Sequence, residues 1–215
     1  MRRTVVGMDV LDRVTGLDRL FVQQKFAPLV NRYLVSAVAA DGNSPGEPLC
    51  EVRQKRMKIR EQITFSAPDA DGDGEPVLLL RSRHVFEVRG VTDVLLPGGE
   101  PLGALRKVFG ASLVRSTWEV QDPSGVVVAV AREASVPIAV LRRIWGQIPY
   151  VGGVPFLLPF HFNIAAPDGR PLGTYRRLPA LRDRYLLDLS ADVERRLDRR
   201  VAMALTIALD ALQDR

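Results

Sequence analysis

Apolar residues along most of this chain recur with a period of two. Between Arg56 and Phe65, the residues Met57, Ile59, Ile63 and Phe65 fall on one parity, and Arg56, Lys58 and Arg60 fall on the other. A strand sends alternate side chains to opposite faces, so this stretch predicts a strand with one apolar and one basic face. LLLRSRHVFEV, TDVLL, LGALRKVF, SLVRSTWEV, VVVAVARE, FHFNIAA and RYLLDL also read as strands, as does the stretch around Leu34, Val35 and Val38. Turn residues lie between them: Asp41-Gly42, Pro97-Gly98-Gly99, Asp122-Pro123-Ser124-Gly125 and Asp168-Gly169. Glycine supplies positive φ and proline presets its own, so these clusters mark the ends of strands. About a dozen short strands at this spacing predict a sandwich or a closed barrel.

One phrase recurs among the turns. GEPLCEVRQKR starts at Gly46, GEPLGALRKVF at Gly99 and GRPLGTYRRLP at Gly169. Each reads Gly-x-Pro-Leu followed by a small residue. Proline cannot donate to a sheet ladder and is tolerated at strand entry. The phrase therefore reads as a turn, a proline opening the next strand, and an inward leucine. The unequal spacing of the copies excludes a solenoid of fixed period.

The character changes at residues 190–213. Ser190 suits a helix N-cap, and Asp192 and Glu194 suit the positive end of a helix dipole. Val193 and Leu197 lie one turn apart. From Val201 to Leu212 only Thr206 and Asp210 are polar. A helix apolar on nearly all sides is buried in protein or spans a membrane. This one is about 18 Å long, too short for a bilayer core of about 30 Å, so it belongs inside the β shell. The expectation is a mainly β protein in which about twelve antiparallel strands form a barrel around a C-terminal hydrophobic helix. Residues 1–17 read as an N-terminal extension and 18–215 as a single domain, with 190–213 as its central helix.

Composition narrows the setting. The hydrophobic share of 47% is enough for a packed core. The single cysteine, Cys50, excludes a disulfide framework and fits a reducing compartment. The start MRRTVVGMDVLDRV has charges where a signal peptide needs an apolar run. The expectation is a cytoplasmic protein, peripheral at the inner face of the membrane. The net charge of +5 and a pI near 9.8 favour anionic partners.

The ordered phrases LFVQQKF, VNRYLV, QKRMKIRE, LGALRKVFGASLVRSTWEV and RVAMALTIALDAL resemble the LURP-one-related and phospholipid-scramblase group, which shares the Tubby C-terminal-like fold. The resemblance runs from about Leu20 to Gln213. It implies a twelve-stranded barrel around a hydrophobic helix. It further implies that basic surfaces contact phosphoinositides or other lipid in some members, and that scramblase-type members use calcium.

Three groups of residues are candidate sites. The basic set comprises Arg53, Lys55, Arg56, Lys58, Arg60, Arg106, Lys107, Arg176 and Arg177, partly contributed by the three repeats. Such side chains attract anionic lipid if they converge. Residues 144–167 carry no Asp, Glu, Lys or Arg and follow Arg142-Arg143. Their prolines and glycines oppose a continuous helix, leaving a membrane-contact loop with Trp145, Tyr150 and Phe156 as its apolar contacts. Asp69, Asp71 and Asp73 open like an EF-hand calcium loop, but its twelfth position is Leu80, where a bidentate acid is required. Arg195, Arg196, Arg199 and Arg200 are placed to guard the opening where the helix enters the barrel.

Enzyme chemistry finds little footing. His84 and His161 have no metal-ligand spacing to other donors, and no nucleophile elbow, phosphate loop or dinucleotide fingerprint is present. No cofactor is expected. The expected function is a non-enzymatic, membrane-associated or interaction protein that contacts anionic phospholipid or a protein partner. The alternatives are a phospholipid scramblase and a basic nucleic-acid-binding module. The last is disfavoured because the aromatics are not interleaved with the basic runs.

Overall fold

The computed structural model of the 215-residue chain describes residues 2–25, 30–55, 62–69, 74–83, 90–108, 116–134, 161–178 and 184–212. A first helix, α1 (Arg2–Gly16), precedes twelve strands. These are β1 (Arg19–Lys25), β2 (Val30–Val38), β3 (Pro45–Lys55), β4 (Gln62–Ser66), β5 (Pro76–Ser82), β6 (Val91–Leu95), β7 (Pro101–Val108), β8 (Thr117–Gln121), β9 (Val127–Glu133), β10 (His161–Ala165), β11 (Pro171–Leu178) and β12 (Arg184–Asp188). A second helix, α2 (Arg199–Ala211), follows.

Each strand pairs antiparallel with its neighbours in sequence, and β1 closes on β12, so the sheet is a closed up-and-down barrel. Closure leaves no unpaired sheet edge. The inward parity fills the interior: Val22 from β1, Tyr33 and Val35 from β2, Ile63 and Phe65 from β4, Trp118 and Val120 from β8. The helix α2 runs through this core, and Val201–Leu205 and Ile207–Leu209 are buried along it. The expected barrel around a C-terminal helix is the architecture found.

The helix starts later than the sequence pattern suggests. Its N-cap is Asp198, whose side chain accepts from the backbone N–H of Arg200. Residues 190–197 form turns instead. Asp192 accepts from the backbone N–H groups of Arg196 and Leu197, at 3.0 Å each. A short acid that binds nearby backbone competes with helix, as it does here. Val193, expected on an apolar helix face, is 86% exposed. The N-terminal extension is likewise more than an appendage. Val10, Leu11 and Val14 of α1 are buried within the common core, and α1 packs against α2, β3 and β5.

The repeated phrase marks a hairpin device that recurs five times. In the pairings β2–β3, β4–β5, β6–β7, β8–β9 and β10–β11 the second strand carries an extra residue at a shared position, and β3 carries another nearer its turn. The residue at the shared position is Leu49, Val77, Leu102, Val128 or Leu172, each a β-bulge of two residues against one. It always stands three positions after a glycine: Gly46, Gly74, Gly99, Gly125 or Gly169. Gly74-Glu75-Pro76-Val77 is thus a further copy with valine for leucine, and Gly125-Val126-Val127-Val128 keeps the glycine and the bulge but has valine at both the proline and the leucine positions. In three copies the glycine has positive φ, 91° at Gly99, 88° at Gly125 and 87° at Gly169, closing a Pro-x-Gly turn. Pro101 and Pro171 open their strands as expected. Pro48 does not, because β3 already begins at Pro45 and Pro48 lies at the bulge, a site where proline is also tolerated.

These five turns, the α1–β1 junction and the approach to α2 all lie at one end of the barrel, the turn end. The opposite end is the rim, where the odd-numbered strands finish.

Candidate functional site

At the rim, the C-terminus of α2 is held from inside. Asp210 accepts hydrogen bonds from the Tyr33 hydroxyl at 2.7 Å and the Tyr185 hydroxyl at 2.6 Å. Tyr185 stacks on Tyr175 at 5.3 Å between ring centroids. Lys107 donates to the Leu212 carbonyl oxygen at 3.3 Å and sits 5.8 Å from the Trp118 ring centroid. A cation on the last turn suits the negative end of the helix dipole.

Outside, the rim is basic. Lys25 on β1 stands directly opposite Arg32 on β2, and Arg32 directly opposite Arg53 on β3. All three share the outward parity, since Val22, Tyr33 and Val52 on the same strands are buried in the core. Glu51 is the acid within this row, 2.9 Å from Lys25. The adjoining strands extend the row with Arg184, opposite Gln23, and Arg176, opposite Leu186. Arg32 and Arg176 are exposed, and neither has an ion pair among the described residues. Further round the rim, Arg83 pairs with Asp93 at 2.7 Å and Arg106 with Glu119. Arg81 and Arg132 are exposed without an ion pair among the described residues.

The turn end has the opposite balance. Here Arg13 pairs with Glu47, Arg19 with Asp188, Arg170 with Asp168 and Glu194, Arg195 with Asp18, and Arg196 with Glu194. Arg200 pairs with Asp198 at 2.6 Å. Arg199 is buried between Asp192 at 2.6 Å and Asp18 at 2.8 Å. The arginines expected to guard the helix entrance do sit there, each matched by an acid. Asp9, Asp12, Asp41, Asp69, Glu100 and Asp122 remain without an ion pair among the described residues. Asp41 and Asp122 are held below the usual carboxylate range by hydrogen bonds, from Ser44 foremost in the first and Ser124 foremost in the second. Both carry full negative charge at neutral pH.

The expected basic set is therefore only partly one surface. Lys55, Arg106-Lys107 and Arg176-Arg177 of the three repeats lie on β3, β7 and β11, four strands apart in a ring of twelve. Arg106 and Lys107 turn to opposite sides of the wall, one to Glu119 and the other to the helix terminus. Arg176 is exposed, whereas Arg177 follows the inward parity of Tyr175. Lys55 ends β3 opposite Val30, and its side chain lies outside the described residues. Arg56, Lys58, Arg60, Trp145, Tyr150, Phe156, Asp71, Asp73 and His84 also lie outside them. Asp69 is an exposed residue of the β4–β5 connection. Strands rather than EF-hand helices flank it, and among the described residues no group of three or more acids, histidines or cysteines is placed to hold a metal. His161 opens β10, 3.1 Å from the Asn163 side chain.

Sequence reasoning missed Lys25, Arg32 and Arg184. They come from separate phrases with one cation each; the β1–β2 pairing sets Lys25 opposite Arg32, and the closure of β12 on β1 adds Arg184. The signal available was parity, and it was clear only for Arg32, because the faces that carry Lys25 and Arg184 also hold the buried Phe21 and Leu186. No helix among the described residues is long and apolar enough to cross a membrane. No protein-family model matches the chain, and no curated protein matches it.

Proposed function

We propose that this chain is a non-enzymatic interaction protein that docks on anionic phospholipid through the cation row Lys25, Arg32 and Arg53, extended by Arg176 and Arg184. The observation that carries the reading is the row itself. Lys25, Arg32 and Arg53 stand in register across β1, β2 and β3, and Glu51 beside Lys25 balances one of these cations, so the row keeps a positive excess that favours an anionic surface. Each is worth about 1 kcal/mol near an anionic bilayer before screening. Five give weak, salt-sensitive attachment of a peripheral kind. Kinship with the LURP-one-related and phospholipid-scramblase group is part of the same proposal. The architecture supports it, and fold alone does not decide function.

Co-sedimentation tests the reading. The protein should pellet with phosphatidylserine-containing vesicles, less so as salt rises, and not with phosphatidylcholine alone. Replacing Lys25, Arg32, Arg53 and Arg176 together by Gln should reduce pelleting at least tenfold while leaving the fold intact. Equal behaviour on both vesicle types would falsify the proposal. Retention of duplex DNA without vesicle binding would replace it with a nucleic-acid role.

A further inference from the structure

Among the described residues the rim carries more cations than acids and the turn end more acids than cations, and the proposed docking residues all lie at the rim. We infer that docking is rim-first: the barrel axis stands steeply on the membrane, and the turn end with α1 faces away. This rests on the phospholipid reading above and adds an orientation to it.

The reason is distance. The 13 residues of α2 span about 20 Å between the ends. Screening at physiological ionic strength decays over about 8 Å. With the rim down, the acids of the turn end, Asp12, Asp69 and Glu100 among them, lie more than two screening lengths from the lipid phosphates. On its side, the barrel would bring those acids and the rim cations to the same height, and repulsion would cancel part of the attraction. Rim-first contact also brings Arg81 and Arg132, on strands away from the cation row, toward the bilayer. Side-on contact through β1 and β2 leaves both out.

Lipid-anchored paramagnetic relaxation reads the orientation. Cys50 is fully buried, so a nitroxide attached at an introduced cysteine reports that site. Three positions separate the geometries: Ala134→Cys at the rim end of β9, Asn43→Cys in the β2–β3 turn, and Ser124→Cys in the β8–β9 turn. All three residues are exposed. The vesicles are phosphatidylcholine rich in phosphatidylserine, with a trace of nickel-chelating lipid. Rim-first docking predicts several-fold greater relaxation enhancement at Ala134→Cys than at the other two. Strong enhancement at Asn43→Cys with little at Ala134→Cys means side-on contact and overturns the inference while sparing the phospholipid reading. Equal enhancement at all three means no fixed orientation and also overturns it. If the unlabelled protein fails to sediment with the same vesicles, the phospholipid reading itself falls and takes the orientation with it.

Discussion

Arg199 is the residue on which the turn end closes. Its guanidinium is 3% exposed and bonded to Asp192, Asp18, the Leu197 carbonyl and the Asp192 carbonyl. It ties the α1–β1 junction to the start of the central helix. Removing one partner of a buried pair leaves an uncompensated charge, which costs about 3–5 kcal/mol. Arg199→Ala should therefore lower the urea midpoint far more than Arg196→Ala, whose pairs are exposed and worth under about 1 kcal/mol. Asp192 adds a pH signature. Burial pushes its carboxyl upward, but hydrogen bonds from Arg199 and from the Leu197 and Arg196 backbone outweigh that and hold it below the usual range. A depressed carboxylate stabilises the fold above its unfolded value, near 3.9, and the contribution is lost as pH falls through the lower folded value. Urea midpoints measured between pH 7 and pH 2 should fall at the acid end, and less so in Asp192→Asn. A parallel decline in both proteins would assign acid sensitivity to other groups.

At the scale of elements, two of the five hairpins, β6–β7 and β10–β11, require glycine at the residue after the bulge. A Cβ on Gly173 would lie 2.1 Å from the Asp188 carbonyl oxygen, and one on Gly103 would lie 2.4 Å from that of Gln121. Backbone cannot yield as a side-chain tip can, so Gly173→Ala should cost about 1–3 kcal/mol as an overpacked site does, read by thermal unfolding. Gly98→Ala, with nothing within 4 Å, is the control. The barrel was readable because alternation and turn chemistry are local signals. The small residue after Leu102 and Leu172 was visible in GEPLG and GRPLG, but its cause lies in a backbone carbonyl of the next strand, which only the pairing register brings close. The copies at Gly74 and Gly125 were less legible because valine replaces leucine in both and the second also has valine in place of proline. The start of α2 was misplaced for a different reason. Ser190, Asp192 and Glu194 carry the right residue types for a cap, while Asp192 satisfies backbone in a turn and Arg195 takes φ +52° there. Val193→Ser should consequently change stability by less than about 0.5 kcal/mol. Leu205→Asp should abolish cooperative folding, because it places an unpaired charge in the centre of the barrel. A large loss at Val193 would restore a helix beginning at Ser190.

The whole molecule separates what net charge cannot. A value of +5 suggests a mildly basic protein. The fold divides it into a basic rim and an acidic turn end, and only strand order reveals the division, since each end draws residues from all parts of the chain. If location governs attachment, two variants with opposite changes in net charge should respond unequally. Replacing Asp9, Asp12, Asp69 and Glu100 by their amides raises the net charge by four, at an end about 20 Å from the rim. Screening over about 8 Å leaves those acids little influence on a rim-bound membrane, so vesicle affinity should rise less than about threefold, against the tenfold that 1.4 kcal/mol represents. Replacing Lys25, Arg32, Arg53 and Arg176 by Gln lowers the net charge by four at the contact itself, and affinity should fall more than tenfold. Vesicle titrations at one fixed ionic strength give both numbers. Changes equal in size and opposite in sign would mean that total charge, rather than its placement by the fold, determines attachment.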